Sequence, residues 1–390
     1  MKILQICQSF YPCFASGGVV RSVYELSNRL VEQGHDVTVY TTDGCTQRLE
    51  GDNHTTVDVG GIKVFYLKNL SNSLKLKFKI SNPYYLPFRA KKDLKEFDVV
   101  HIHEYRSFLS VSIHHYAKKY GVPYVLQARG SVMPFFAKTR MKKVFDQLWG
   151  REILNDAKVV LALTPVESQQ YEKMGVDPDK IRIIPNGIDT SIQNMVSSGN
   201  FRKDYSLNND EKIILFLGRL HKIKGIDLLV EAFNDLVTEL DEVRLVIAGP
   251  DDGCLRFLEK MVKDYEIEDK VLFTGPLYDN KKYEAYIDAD VYVLPSRYET
   301  FPNTVLESAI FRTPVIVTDR CGIADLVEDN MGLVVKWDKE SLKEGICSLI
   351  MDEKRGNEFG DKGKFFVSEN LDSTIVARKI ENLYKSIIKN

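Results

Sequence analysis

Two glutamates eight residues apart, Glu299 and Glu307, mark the stretch of this 390-residue chain best suited to chemistry. They lie within residues 291–319, VYVLPSRYETFPNTVLESAIFRTPVIVTD. A helix whose first residue is Pro302 leaves the N–H groups of Asn303, Thr304 and Val305 pointing outward, and such a start is an anion site suited to a phosphate. Glu307, one turn inside that helix, can accept hydrogen bonds from a pair of ribose hydroxyls. Glu299, on the loop before it, can hold sugar hydroxyls beside the phosphate. Spacing alone favours a plainer reading, with Glu299 a surface acid and Glu307 a residue matched to the helix dipole.

The elements that must position these residues follow from the pattern around them. Residues 291–294 and 314–318 are short apolar runs. Between them residues 302–312 have a helical pattern, with Val305, Leu306, Ala309 and Ile310 on one face. Strand, loop, helix and strand make the unit of a parallel sheet. Residues 212–217 (KIILFL) predict a fully buried strand that runs into GRLHKIKG and a helix to about residue 240. Strands at 243–248, 270–274 and 332–335, with a helix near 281–287, continue the alternation. The chain begins in the same way, with strand 2–6, Gly17-Gly18, helix 19–33, Gly34 and strand 36–41. Strands at 97–102, 122–127, 159–164 and 180–184 follow. The class is α/β, doubly wound. Glycines after a first strand let backbone approach a ligand, although turns need them too. No GxGxxG is present, which counts against a dinucleotide oxidoreductase.

ETFPNTVLE resembles the E-x7-E signature of retaining glycosyltransferases of family 4, whose GT-B fold sets two Rossmann-like domains facing a cleft. Pro295-Ser296 and TPVI at 313–316 also look like that family. The resemblance covers nearly the whole chain, most specifically residues 213–335. It implies that Glu299 contacts the donor sugar and Glu307 the nucleotide ribose. Arg219 and Lys224 in GRLHKIKG resemble the family's pyrophosphate-binding pair. A guanidinium forks onto phosphate oxygens while an ammonium acts as a compact charge. Glu299, Arg219 and Lys224 are therefore the expected catalytic residues. Gly17, Gly18, Leu277, Thr300, Phe301, Pro302, Asn303 and Thr304 are expected around the donor, with Glu307. Thr300 and Pro302 stand where many members have glycines, so the contact with the sugar is expected to differ. Arg129 stands where many members carry a histidine. It is expected on the acceptor side, binding a hydroxyl or an anionic group.

Residues 185–189 (PNGID) match the family's inter-domain boundary. The resemblance thus implies an acceptor-side domain over 1–187 and a donor-binding domain over 188–372. A linker is expected at 190–205, and a helix from about 373 to 390 crosses back to the first domain. The implied reaction moves a sugar, with its anomeric configuration kept, from a nucleotide-diphosphate sugar such as a UDP- or GDP-sugar. The acceptor is a glycan or a lipid-linked molecule, in cell-surface polysaccharide or glycoconjugate assembly. Neither a cofactor nor a metal is expected, because Arg219, Lys224 and the helix start face the leaving diphosphate. Asp251-Asp252 reads as a loop or helix cap. Two other classes remain: a glycoside hydrolase or phosphorylase using Glu299 and Glu307 as its carboxylate pair, and a non-catalytic binder of sugar nucleotides.

Composition bounds the setting. Hydrophobic content of 44% and charged content of 28% suit an ordinary globular protein long enough for two cores. No apolar run approaches the roughly 20 residues of a membrane helix, and the start reads as a strand rather than a signal peptide. The six cysteines have no CxxC or zinc spacing and are expected to be reduced and mostly buried, in a cytoplasmic protein. His101 and His103 could chelate a metal from one strand face, but no third ligand is evident. The net charge of −2 hides an asymmetry. Residues 1–187 carry 26 Lys and Arg against 18 Asp and Glu, and the remainder 27 against 37. Basic residues interleave with apolar ones at Lys75, Lys77, Lys79, Arg89, Lys91 and Lys92. A second cluster, Lys138, Arg140, Lys142 and Lys143, follows Phe135-Phe136. Two readings stay open, solvated faces or an anionic membrane surface on the inner side of the cell membrane. Nothing points to nucleic acid.

Overall fold

The structure is a computed structural model that describes residues 1–14, 17–45, 48–49, 54–71, 81–133 and 139–389, without the Asp329 side chain. Lys75, Lys77, Lys79, Lys138, Phe135 and Phe136 therefore lie outside the described residues. The chain divides into two compact units, Met1–Gly187 with Ser373–Asn390, and Ile188–Asp372.

In the first unit the strands are β1 (Lys2–Ile6), β2 (Asp36–Thr42), β3 (Val57–Val59), β4 (Ile62–Leu67), β5 (Val99–Ile102), β6 (Tyr124–Gln127), β7 (Val159–Ala162) and β8 (Ile181–Ile183). They lie in the order β3-β4-β2-β1-β5-β6-β7-β8, and every pairing except β3–β4 is parallel. The alternation read from the sequence has no strand between residues 42 and 97; the structure adds β3 and β4 there. Successive strand residues face opposite sides, so each apolar strand feeds two cores. Leu4, Ile6, Val100, Ile102, Leu126 and Val160 enter one cluster, while Ile3, Val37, Val99, Val125 and Leu161 enter the other. The second cluster is closed by the helix Gly18–Glu32 through Val23, Leu26 and Leu30. It is also closed by the C-terminal helix Ser373–Lys389 through Val376, Ala377, Ile380, Tyr384 and Ile387.

Two cysteines depart from expectation. Cys13 and Cys45 form a disulfide, with Cα atoms 5.7 Å apart. They follow β1 and β2, which are parallel neighbours, so their loops leave the sheet at the same edge. Sheet topology joins them across 32 residues, and no local spacing announces that. Cys7 and Cys321 are free and buried; Cys254 and Cys347 are free and half-buried.

The second unit has β9 (Lys212–Leu217), β10 (Val243–Ala248), β11 (Val271–Gly275), β12 (Val291–Leu294), β13 (Val315–Thr318) and β14 (Gly332–Val335). All pairings are parallel, in the order β11-β10-β9-β12-β13-β14. Strand order reverses between β9 and β12, the point where open α/β sheets leave a crevice at their carboxyl edge. The helix Ile226–Leu236 covers the sheet with Ile226, Leu229, Val230, Phe233 and Leu236. The chain passes between units twice, and the two passages are tied together. Ile188 N–H donates to Leu371 O at 2.9 Å, and the Thr190 hydroxyl donates to Asp372 at 2.7 Å.

Residues 190–205 are not a free linker. A 3-10 turn Thr190–Asn194 and a helix Asn200–Asp204 fold onto the second unit. Asp288 holds them, accepting from the Gly199 N–H at 2.6 Å, the Ser198 hydroxyl at 2.8 Å and the Arg202 N–H at 3.1 Å. Phe201 is fully buried beneath the helix. Its single apolar anchor among polar neighbours is too weak a pattern to register as periodicity. Phe201→Ala is expected to destabilise the second unit by about 3–5 kcal/mol, read as a lower urea midpoint; an unchanged midpoint would mean that the segment contributes no packing.

Candidate active site

The residues singled out in the second unit gather at the carboxyl ends of β9, β10 and β12. β9 ends at Leu217, and the loop Gly218 to Gly225 leads to the next helix. Gly225 has φ 67°, and a Cβ on it would lie 2.0 Å from the Pro295 carbonyl oxygen. Only glycine permits that approach. It brings the β9 loop onto the β12 loop, where Arg297 N–H donates to Ile223 O at 2.8 Å. Trp337 Nε1–H donates to the same Pro295 carbonyl at 3.1 Å, and the Arg297 and Arg320 guanidinium groups lie over the Trp337 ring. Arg297 is further held by both oxygens of Asp227, at 2.8 and 2.6 Å.

This contact sets the cations. Lys224 Nζ forms an ion pair with Glu299 Oε2, both largely buried. Arg219 forms an ion pair with Asp252, both more exposed. Asp251 caps the following helix, accepting from the N–H groups of Gly253, Cys254 and Leu255 at 2.9 to 3.0 Å. One residue of the Asp251-Asp252 pair is thus a cap, as expected, while the other holds Arg219, which the sequence did not signal. A carboxylate beside each cation stabilises the charge of both loops without any ligand.

Glu299 is stitched to the loop after β13. Its backbone pairs with Cys321, and its carbonyl accepts from Gly322 N–H at 2.8 Å. Burial pushes the Cys321 thiol up to about 12, so that neighbour is no nucleophile at neutral pH. Glu307 is placed differently. Its side chain is buried, with Oε1 2.7 Å from Lys282 Nζ and Oε2 accepting from the Tyr286 hydroxyl at 3.1 Å. The two acids thus sit in separate environments, one on a loop beside Lys224 and one inside the fold. Lys282 and Tyr286 come from the helix Asp279–Asp288, whose sequence gave no sign of that role.

The helix Asn303–Ile310 starts one residue later than expected, with Pro302 as its N-cap in extended backbone. Val305 N–H donates to the Pro302 carbonyl at 3.2 Å, so it is not among the outward N–H groups. Pro302 makes no side-chain cap to the first turn, and a helix start is favourable ground for an anion. Thr304 Oγ1 is held by the Tyr292 hydroxyl at 2.7 Å, and Phe301 and Pro302 are buried beneath the loop. Thr300 is half-buried beside Tyr298, and Leu277 is half-buried beyond the end of β11.

Three expected residues lie in the first unit. Gly17 has φ 115° and caps the helix Gly18–Glu32, again without a side-chain cap. Arg129 lies just past β6 in a left-handed conformation, φ 51°. Its guanidinium donates to His103 Nδ1 at 3.1 Å and to Asn186 Oδ1 at 2.8 Å. His101 and His103 are fully buried with ring centres 3.9 Å apart and tilted by 34°, and burial lowers both well below the usual imidazole range. Three of their four ring nitrogens serve Tyr384, Gln5 and Arg129, and His101 Nε2 has no partner among the described residues. Among the described residues His114, Glu152 and Asp156 come within 4.8 Å of one another, but Lys118 Nζ already stands 2.8 Å from Asp156. No helix of the described residues is long and apolar enough to cross a membrane.

Comparison with known proteins bears on this arrangement. Residues 16–192 match the family described as Glycosyltransferase Family 4, and residues 197–365 match Glycosyl transferases group 1. The chain is 24% identical to the N-acetyl-alpha-D-glucosaminyl L-malate synthase of Bacillus anthracis over 99% of this chain and 98% of that one. It is 28% identical to a D-inositol 3-phosphate glycosyltransferase of Acidothermus cellulolyticus over 87% and 79%. The crystal structure of Anabaena HepE with UDP and glucose superimposes with a TM-score of 0.77 at 16% identity, covering 99% of this chain and 100% of that one. With both halves matched and two parallel-sheet units in place, this chain is a glycosyltransferase of family 4, with the GT-B fold.

Proposed function

We propose that the chain transfers a sugar from a nucleotide-diphosphate sugar, with retention of configuration and without a metal ion. The observation that carries this reading is the placement of Arg219 and Lys224 at the carboxyl ends of the second unit's strands, beside the uncapped start of Asn303–Ile310. The similarity to a structure solved with UDP and glucose supports a nucleotide sugar as donor. In this reading the diphosphate displaces Asp252 and Glu299 from the two cations. Lys224 then bears on the phosphate and releases Glu299 toward the donor sugar. Glu307 receives the ribose while Lys282 and Tyr286 hold its carboxylate in one orientation. The bond from the sugar's anomeric carbon to the phosphate oxygen breaks as the acceptor oxygen arrives on the same face, and the departing phosphate takes the acceptor's proton. Positive charge from Arg219 and Lys224 stabilises the negative charge that builds on the leaving group.

Release of free nucleotide from UDP- and GDP-sugars, with the product's anomeric configuration read by NMR, tests the reaction. Turnover is expected to persist in EDTA; loss restored by Mg2+ or Mn2+ would overturn the metal-free reading.

The assignment of residues has its own signature. Glu299→Gln is expected to spare nucleotide affinity and depress transfer, whereas Glu307→Ala weakens the nucleotide with or without its sugar. Arg219→Ala and Lys224→Ala should each slow single-turnover transfer by roughly 100- to 1000-fold, the effect of removing one preorganised donor of about 2.7–4 kcal/mol. Equal loss of free-nucleotide affinity in both glutamate variants would remove the division of roles.

The acceptor in this reading is a glycan or lipid-linked molecule at an anionic membrane face, as in assembly of cell-surface polysaccharide. Helix Thr139–Phe145 has no buried residue, and its apolar stripe continues into the next turn. Met141, Val144, Leu148 and Trp149 are 62, 52, 58 and 46% exposed, interleaved with Arg140, Lys142, Lys143 and Arg151. A basic face around apolar and tryptophan side chains fits an anionic bilayer surface. Co-sedimentation with phosphatidylglycerol vesicles should fall with salt and with the Arg140→Glu, Lys143→Glu double change. Absence of binding at low salt, where the attraction is strongest, would return the stripe to solvent.

A further inference from the structure

The first unit carries a polar device that the donor reading does not use. One face of its sheet is apolar through Ile3, Val99 and Val125 and then turns polar at the carboxyl edge. Alternation puts Gln5, His101, His103 and Gln127 on that face, and all four are buried. Burying a polar group is costly unless it is hydrogen-bonded. Gln5, His101 and His103 join one directed chain, while His101 Nε2 and Gln127 Oε1 have no hydrogen-bond partner among the described residues. His101 Nδ1 accepts from the Tyr384 hydroxyl at 2.6 Å, and that hydroxyl lies 3.4 Å from Gln5 Nε2, which donates to it. Gln5 Oε1 accepts from His103 Nε2 at 2.5 Å, which leaves His103 Nδ1 as an acceptor. The Arg129 guanidinium donates to that nitrogen through both Nε and NH2, at 3.3 and 3.1 Å.

The turn that carries Arg129 is equally built. Its left-handed φ of 51° is rare for a residue with a Cβ and needs outside support. Glu167 supplies it, accepting from Gly130 N–H with one oxygen and from Leu163 N–H at 2.7 Å with the other. Ala128 N–H donates to the Tyr171 hydroxyl at 2.8 Å, and Ser131 returns to the Ala128 carbonyl through N–H and hydroxyl. Asn186 Oδ1 takes a third guanidinium N–H at 2.8 Å. Every hydrogen-bond partner of Arg129 among the described residues is thus neutral, and no carboxylate of those residues forms an ion pair with it. Desolvation lowers its pKa to about 10, so it keeps its charge at neutral pH. A guanidinium has five N–H donors, of which three are engaged and two remain. Glu167 acts on Arg129 only through space, with both its oxygens taken by the N–H groups of Gly130 and Leu163. A fixed, partly desolvated cation with two uncommitted N–H donors is a receptor for an anion.

We propose that Arg129 is a specificity-determining residue that receives a carboxylate or phosphate group of the sugar acceptor. This rests on the glycosyltransferase reading of the second unit, where other cations serve the donor diphosphate. The enzyme then prefers an acidic acceptor, such as a uronic acid residue or a phosphorylated sugar, to a neutral one. Tyr384 and the two histidines are positioning residues that hold the guanidinium through the chain described.

The test uses the full chain saturated with UDP or GDP, so that the second unit's cations are occupied. Inorganic phosphate, methyl glucuronide and methyl glucoside are titrated by calorimetry. At least one of the two anions is expected to bind at least tenfold more tightly than the neutral glucoside. Glucuronide binding without phosphate binding assigns a carboxylate acceptor, and the reverse a phosphorylated one. Arg129→Gln should abolish the preference with nucleotide affinity intact, and Arg129→Lys should keep part of it. Tyr384→Phe should weaken anion binding several-fold although it touches no ligand. Equal binding of anions to wild type and Arg129→Gln, with nucleotide binding normal, overturns the proposal while leaving the donor reading standing. A change in preference between UDP-glucose and UDP-glucuronate without any change toward acceptors also overturns it, by moving the anion to the donor. Loss of nucleotide binding in wild type would instead strike the donor reading.

Discussion

The contact between Gly225 and the Pro295 carbonyl governs the second unit's site, because it decides where two loops from different strands meet. The desolvation cost of a largely buried ion pair offsets much of its attraction, so the attraction of Lys224 for Glu299 would not by itself hold the loops in register. Backbone does that: a Cβ at Gly225 has no room, Arg297 N–H reaches Ile223 O, and Trp337 closes over the same carbonyl. The ion pair is then a consequence of the loop geometry. Gly249 repeats the device at the neighbouring strand, where a Cβ would meet Gly218 O at 1.8 Å. The loop that bears both Arg219 and Lys224 is therefore placed before any ligand arrives, and such preorganisation makes fixed charge effective on a leaving group.

The acids around these cations play unlike parts. Asp252 and Glu299 lie at the surface of the site and neutralise Arg219 and Lys224 in the absence of an anion. In the proposed reading a bound diphosphate would compete with them directly, coupling donor arrival to the freeing of Glu299. Glu307 is buried with Lys282 and Tyr286, and removing either partner would leave a buried charge poorly compensated. A carboxylate pair acting across one glycosidic bond needs both groups facing a shared gap. Two acids held by different elements in different environments do not fit that requirement.

In the first unit the same logic of support runs through neutral groups. Arg129 is held by a histidine, an asparagine and a strained turn, and the C-terminal helix reaches it through Tyr384. That helix follows the second unit in the chain but belongs to the first unit's core. The links from Tyr384 through Gln5 and His103 to Arg129 are each hydrogen-bonded, while His101 Nε2 and Gln127 Oε1 beside them have no partner among the described residues.

Much of the architecture was legible in the chain itself. Continuous apolar runs such as KIILFL declare buried parallel strands, and Val23, Leu26 and Leu30 declare the helix that covers them, because burial acts locally on each segment. The resemblance of GRLHKIKG and ETFPNTVLE to the family's motifs, not their spacing, pointed to Arg219, Lys224, Glu299 and Glu307. Tertiary structure decided the partners. Asp252 beside Arg219, Lys282 and Tyr286 on Glu307, and Tyr384 behind His101 are separated by 21 to 283 residues. The Cys13–Cys45 disulfide and the folding of residues 190–205 onto Asp288 belong with them. Periodicity reports which face of a segment is buried; which distant side chain waits there depends on strand order and loop closure, and those exist only once the sheet has formed.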